Sequence, residues 1–420
     1  MPAVTSTKTA FGGVAAGHSD LGNTQNSRPT HKSPSPDGVL ELRQELYRVK
    51  SLLWDRSTLK RVRTCGKKPR STAVTIKTGG KGKSAGFGNL ETCGSLSACP
   101  TCSKKISAVR ADEIGRAITS WCGKGNSVGF FTFTLRHFAG MDLQTTWEGG
   151  LQKAWSSIIS SRKYKIEIKD RYDIVGYIRV VEVTTGENGW HPHIHCLFFF
   201  DGKKSQDQVS DLGAEMFNLW SSALVKQCFP APLRIVKQED GSTKTLGVDA
   251  RLVVDASLAL GQYFSKSIYP LGSKTYEANK TGLEMALGGI SKFARFGNAT
   301  PFQLLKYFSD TGDSFALELW QEWERVSKGK RIHLWSNGLR KLLDLPIMEK
   351  TDEQIASEDE AGEILVCIPS KQWALLVRFR VDLLPKFLYL AEVDATGIRL
   401  KRFLNASGVI WFDPKITMNQ

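Results

Sequence analysis

Apolar and polar positions alternate with period two in three stretches near the middle of the chain, which marks them as strands. They are "SVGFFTFTL" (127–135), "DIVGYIRVVEVTT" (173–185) and the run inside "GWHPHIHCLFFF" (189–200). Pro192 has no N–H to give to a ladder, so the third strand is expected to begin near His193. Apolar residues recurring every three or four positions predict helices over 39–55, 143–161 and 205–227, the last opening at Ser205. Further helices are expected over 257–268, over 300–309 behind Thr300-Pro301, and over 314–328. "DARLVV" (249–254) reads as a short strand. "WALLVRF" (373–379), "FLYLAEVD" (387–394) and "GVIWF" (408–412) predict a small α+β tail. No internal repeat is visible.

Composition narrows the class. The chain has 420 residues, 41% of them hydrophobic, enough for two or three domains with real cores. Its formal net charge is +15, which points to an anionic polymer as partner, nucleic acid before membrane. No apolar run approaches the roughly 18 residues of a membrane helix. The first residues, "MPAVTSTKTAFGGVAAGHSD", lack the basic start and apolar block of a signal peptide, so a soluble, cytoplasmic protein is expected. The charge is unevenly spread. Residues 41–110 hold sixteen Lys or Arg against four Asp or Glu, interrupted by the Gly/Lys-rich "IKTGGKGKSAGFGN", which suits a loop that meets phosphates. Residues 344–363 invert this, with eight acids against Lys350 alone, and read as a linker or exposed helix. Residues 1–38, rich in Ser, Thr, Gly, Pro and Asn, read as disordered.

Eight cysteines in a cytosolic chain point to thiols or metal ligands rather than disulfides. Cys65, Cys93, Cys99 and Cys102 cluster in "RTCGKK … ETCGSLSACPTCSKKI", and Cys99-Pro-Thr-Cys102 is a CxxC on a tight turn. Four thiolates would complete the tetrahedron of a structural Zn²⁺ site. Free thiols are the plainer alternative. A redox CxxC needs a thioredoxin-like βαβ unit, which is absent. Cys122, Cys196, Cys228 and Cys367 sit among apolar residues and are expected to be inert core thiols.

The third strand carries the most unusual pattern. By parity His191, His193 and His195 share one face, and two imidazoles at i and i+2 on a rigid strand can converge on one divalent ion. A half-buried hydrogen-bonded histidine pair is the alternative. Glu182 shares a face with Ile178 and Val180, and a carboxylate on an apolar face needs a partner. That partner is either a metal shared with His193 and His195 or a salt bridge to Arg179 or Arg136. Tyr263 and Lys266, in "GQYFSKSIY", share a helix face at i and i+3. A tyrosine oxygen is a usable nucleophile where a cation stabilises the phenolate, although a core Tyr beside a solvated Lys is the commoner reading of such a pair.

Taken in order, "FFTFTLRH", "GWHPHIHCLFFF" and "YFSK" resemble the three motifs of the HUH endonucleases, and more closely those of bacterial plasmid rolling-circle replication initiators. The likeness spans roughly residues 60–365 and includes "CGSLSACPTCSKKISAVRADEI", "TGDSFALELWQEWERVSKGKR" and "TDEQIASEDE". The resemblance implies an α+β fold with a central antiparallel sheet of HUH/ferredoxin-like (RRM-like) type flanked by helices. It implies that Tyr263 attacks a DNA phosphate, leaving a 5′-phosphotyrosine and a free 3′-OH primer, with Lys266 positioning metal or phosphate. His193 and His195 match the ligands of Mg²⁺ or Mn²⁺, and Glu182 the third ligand. His191, Thr132 and Thr134 are candidates to support the ligands or touch DNA. Some relatives carry a glutamate one helical turn before the tyrosine, where this chain has Ala259. Glu182, Glu187 and Asp255 are then the candidates for activating water at termination.

On this reading the chain divides into a disordered tail (1–38), a basic zinc-binding DNA-contact region (39–122), an HUH endonuclease domain (123–335), and an acidic linker with a small C-terminal region (336–420). No GxxxxGK[ST] is present, so a host helicase must unwind, and single-strand-binding protein and DNA polymerase follow as partners of the origin DNA. The rival readings are a zinc-containing DNA-binding regulator with an inactive HUH fold, and an HUH transposase or relaxase. Relaxases usually place the tyrosine upstream of the histidines, and transposases of this type are generally much shorter.

Overall fold

A computed structural model describes residues 36–78, 84–186, 188–237, 243–253, 299–358 and 362–414. The tail 1–35, the helix expected over 257–268 and, with it, Tyr263 and Lys266 lie outside the described residues.

In chain order the elements are α1 (Pro36–Arg56), α2 (Lys60–Thr64), β1 (Ala73–Lys77), β2 (Gly86–Gly88), α3 (Pro100–Gly123) and β3 (Ser127–Thr134). A π-helical turn (Thr145–Gln152) leads into α4 (Lys153–Ser160), and a second (Lys163–Ile168) into the short α5 (Lys169–Arg171). Next come β4 (Ile174–Gly186), β5 (Gly189–Phe200), α6 (Gln206–Lys226), β6 (Ile235–Lys237), β7 (Thr243–Thr245) and β8 (Val248–Leu252). After the undescribed stretch follow α7 (Pro301–Thr311), α8 (Ser314–Ser327), β9 (His333–Trp335), α9 (Leu339–Leu342), α10 (Asp352–Ser357), β10 (Ile364–Pro369), α11 (Ser370–Phe379), α12 (Leu384–Val393) and α13 (Ile398–Ala406). Ser205 caps α6 and Thr300 caps α7, each through a reciprocal capping box with a Gln at N3.

The central sheet has order β8-β3-β5-β4-β9 and its pairings are antiparallel. One face packs Phe131, Phe133, Ile194 and Phe198 against Trp155 of α4 and Met216 and Trp220 of α6. The aromatic rings there meet edge to face, with Phe133 at 5.3 Å from Trp155 and 5.4 Å from Trp220. On the other face Val128, Ile178, Leu197 and Phe199 pack under Ile114, Ile118 and Trp121 of α3. That cover does not include the His193 end of β5, where the same face carries polar side chains.

β5 begins four residues earlier than Pro192 suggested. From Gly189 to Pro192 it pairs with β4 alone, because β3 ends at Thr134 opposite His193. Pro192 therefore occupies an edge segment, where a missing N–H costs little.

The C-terminal segment is more than an appended tail. β10 pairs along β1, placing Ile368 against Val74 and Val366 against Ile76. These four join Trp54, Trp373, Phe387, Leu400 and Leu404 in a second core. The acidic stretch also folds: α10 lies against α3 and α2, with Asp352 and Glu349 on Arg110 at 3.0 and 2.5 Å and Glu353 on Arg61 at 3.5 Å. Part of the basic surface of 41–110 is thus already neutralised within the chain. Among the described residues no helix is long and apolar enough to cross a membrane.

Candidate metal centres

Register builds the first site. On β5, His193 lies opposite Glu182 of β4 and Thr134 of β3, and His195 lies opposite Val180 and Thr132. Paired residues of an antiparallel ladder project from the same face, so Glu182 faces His193 directly and His195 on the diagonal. Glu182 Oε2 sits 3.0 Å from His193 Nε2 and 2.8 Å from His195 Nε2. All three residues are buried, at 3%, 8% and 4% exposure.

The other ring nitrogens are held in place. His193 Nδ1 is 3.3 Å from the His191 carbonyl, and His195 Nδ1 is 3.2 Å from Thr132 Oγ1. Phe130 stacks on the His195 ring at 5.3 Å. A carbonyl oxygen can only accept, so with its proton on Nδ1 His193 presents the Nε2 lone pair. With Thr132 accepting, His195 presents the same atom. In those tautomers the two lone pairs and the buried carboxylate oxygen repel unless a cation lies among them. Ligands at about 2.1 Å from a small divalent ion and at right angles lie about 3.0 Å apart, as these atoms do. The donor set therefore fits a divalent cation.

Arg179, one alternative partner for Glu182, projects from the opposite face and donates to the Arg331 carbonyl. Arg136, the other, lies over the Phe138 ring. Thr134 Oγ1 accepts from Gly247 N and so braces the sheet rather than the cluster. His191 Nδ1 lies 2.6 Å from Nε2 of His137, whose Nδ1 reaches the Asn188 carbonyl at 2.8 Å. His137, the last residue of "FFTFTLRH", was not singled out by the sequence pattern, because it stands beyond the alternating run. Of the termination candidates, Glu182 belongs to this cluster, whereas Glu187 and Asp255, like the Ala259 position, lie outside the described residues.

The second site joins parts that are distant in sequence. Cys65 Sγ is 3.7 Å from Cys99 Sγ and 3.6 Å from Cys102 Sγ, and Cys93 Sγ is 3.6 Å from Cys102 Sγ. Sulfurs bound tetrahedrally at about 2.3 Å from zinc lie about 3.8 Å apart, so these separations match the edges of a ZnS₄ tetrahedron. Cys65 and Cys93 are each followed by glycine with positive φ, 74° at Gly66 and 62° at Gly94. This left-handed turn swings the next amide toward the sulfur, as in Ser95 N to Cys93 Sγ at 3.4 Å. The two loops are tied by Gly66 N to Glu91 O at 2.8 Å.

Lys50 of α1 is buried and donates to Cys99 Sγ at 3.0 Å. Burial alone would lower its pKa, but the surrounding sulfurs, Cys99 first, raise it above the ordinary lysine value. Burial likewise opposes a thiolate at Cys99, yet hydrogen bonds from the other three cysteines and the Lys50 charge bring it well below the ordinary thiol range. Helical spacing was the signal for Lys50: it shares the buried stripe of α1 with Leu46, Val49 and Leu53. Of the remaining cysteines, Cys196 and Cys367 are buried as expected and Cys122 is half-buried. Cys228 is exposed, in a turn of positive φ past the end of α6, because the apolar pattern around it ends with the helix.

Gly94→Ala should damage this site. A Cβ there would stand 2.7 Å from the Glu353 Cα of α10, on a backbone that L residues avoid. We expect a loss of roughly 2–4 kcal/mol, measurable as a lowered urea midpoint at an unchanged slope.

Residues 89–245 match the family model described as a replication protein, a stretch that contains three of the four clustered cysteines and all of Glu182, His193 and His195. The chain is 28% identical over 367 residues to "Protein rep" of Streptomyces lividans, which covers 75% of this chain and 78% of that one. It is also 32% identical over 137 residues to a "Neomycin resistance protein" of Streptomyces cyanogenus, covering 27% of this chain and 31% of the other. No solved structure matches. With the motifs and the two buried clusters that they frame, these likenesses support a plasmid replication initiator.

Proposed function

We propose that this replication protein starts rolling-circle replication by nicking its origin with Tyr263 as nucleophile. The observation that carries the reading is the convergence of Glu182, His193 and His195 on one face of the central sheet. β5 at the centre of an antiparallel sheet, with β3 beside it, is the arrangement an HUH, RRM-like fold requires. A bound Mg²⁺ or Mn²⁺ would supply positive charge to the phosphate oxygens and the leaving group. The chain's residues do the rest. Glu182, His193 and His195 hold the ion, and Thr132 and Phe130 fix the His195 ring. Tyr263 supplies the attacking oxygen: its bond to phosphorus forms, the bond from phosphorus to O3′ breaks, and the phenol proton ends on the 3′ oxygen. Lys266 places positive charge near the phosphate. The reverse reaction rejoins the strand at termination. The Cys65, Cys93, Cys99 and Cys102 site holds Zn²⁺, and the basic region around it contacts duplex origin DNA. Host helicase, single-strand-binding protein and polymerase then extend the 3′-OH.

The test is to incubate the protein and Mn²⁺ with an end-labelled single-stranded origin oligonucleotide, digest with trypsin and locate the DNA by mass spectrometry. The adduct is expected on Tyr263 and absent from the Tyr263→Phe variant, which keeps the ring and loses the oxygen. DNA on Tyr269, the second tyrosine of "GQYFSKSIY", or an adduct that survives Tyr263→Phe, overturns the assignment. Origin binding with no adduct at all favours the regulator reading.

A further inference from the structure

A cleft of about 660 Å³ opens on the β9 side of the sheet. Its floor is β9 and the turn that follows, and one wall is the segment 347–352. Register ties it to the first metal centre: His333 of β9 lies opposite Val180, which in turn lies opposite His195. His333, one of its lining residues, therefore stands two strand spacings, about 10 Å, from a metal ligand and projects from the same face. Six Lys or Arg residues line it, against Glu349 and Asp352. Four of the six are committed: Arg110 to Glu349 and Asp352, Arg340 to Glu113, Lys330 to Glu148, Lys350 to Glu358. Arg331 and Lys341 are exposed and have no carboxylate partner among the described residues. Between them Ser336 locks the turn, its Oγ accepting from Tyr177 N at 2.8 Å, and leaves Asn337 exposed at the tip.

We propose that this cleft carries the phosphate backbone of the single strand flanking the cleaved bond, with Arg331 and Lys341 as its phosphate contacts. The inference rests on the nicking reading above. A volume in the range of small-ligand sites admits a nucleotide or two of single strand and excludes a duplex. A free mononucleotide offers the same phosphate chemistry and is separated by the test.

The test uses the full chain and fluorescence anisotropy with a labelled dT oligonucleotide of about 20 nucleotides, over a salt series. Each lost phosphate contact on a single strand should lower the slope of log K against log salt by about 0.7, so Arg331→Ala/Lys341→Ala should lower it by about 1.4 and weaken binding about tenfold to thirtyfold at 0.1 M salt. Lys371→Ala/Arg378→Ala, equally cationic and exposed on α11, should leave the slope unchanged. An unchanged slope in the cleft variant, an equal fall in the α11 variant, or full competition by millimolar dTMP overturns the proposal. The anisotropy is read without a divalent ion, so nicking can fail while the cleft assignment stands, and the reverse.

Discussion

Replacing His193 or His195 with alanine is expected to lower metal-dependent nicking by about a thousandfold or more, with binding to duplex origin DNA within about threefold of wild type. The reasoning starts from burial. Glu182 Oε2 stands 2.8 and 3.0 Å from two Nε2 atoms in a nearly dry pocket. Removing one imidazole deletes a ligand, so the ion that offsets the buried carboxylate charge is held less tightly. The remaining pair still binds an ion, but weakly and without a fixed direction. A loss of about 4 kcal/mol of transition-state stabilisation corresponds to about a thousandfold in rate. A readout independent of catalysis separates this from simple misfolding. Mn²⁺ at about a hundred times its Kd should raise wild-type stability by about 2.7 kcal/mol and should not stabilise the His193→Ala chain at that concentration. Thr132→Val is the graded case: the ring stays while its Nδ1 partner is lost, and Mn²⁺ affinity should fall about tenfold to a hundredfold. Undiminished nicking in the His193→Ala/His195→Ala chain, or equal Mn²⁺ stabilisation in both proteins, would show that the ion binds elsewhere.

The chain states some of this openly and hides the rest. Parity alone puts His193 and His195 on one face, because a strand's side-chain period is two whatever the fold around it. The partnership with Glu182 was also legible, through a feature easily passed over. Gly186 pairs with Gly189, so only two residues separate β4 from β5. A turn of that length fixes the register of the hairpin and sets residue 182 opposite residue 193. α6 announced itself through Ser205 and Gln208, since a capping box is local chemistry. What stayed hidden depends on distant partners. β9 is three residues long and gains its identity from Ile178, Arg179 and Val180. β10 is a short apolar run that pairs with a strand some 290 positions earlier, and nothing local names that partner. The π-helical turn at Thr145–Gln152 contains Gly150, where a Cβ would stand 2.8 Å from the Phe229 ring. The helical pattern over 143–161 carries no trace of that approach.

Removing zinc should cost the protein more stability than any single substitution in its cores. The four sulfurs come from the end of α2, the loop before α3 and the first turn of α3, and α10 presses on Gly94 between them. A zinc ion held by these sulfurs would close loops that hydrophobic contact alone closes poorly, and its binding energy would become folding energy. We expect one zinc per purified chain by elemental analysis, and substoichiometric zinc with a melting temperature lower by about 10 °C or more in Cys102→Ser. Lys50 gives the pH sign. With Cys99 held below the ordinary thiol value, its stabilising contribution is complete above that value and is lost as the pH falls through the lowered one. Acid should thus release zinc, and Lys50→Met, which removes the cation bonded to Cys99 Sγ, should move the release midpoint to higher pH by about one unit. Lys50→Arg keeps the charge and should release near the wild-type pH if the guanidinium is accommodated. A metal indicator dye reads all three proteins during one acid titration. Wild-type protein that purifies without zinc, or a Cys102→Ser chain that keeps both its zinc and its melting temperature, would remove the metal from this account. A Lys50→Met midpoint at or below the wild-type pH would leave the zinc in place and remove the lysine's part in holding it.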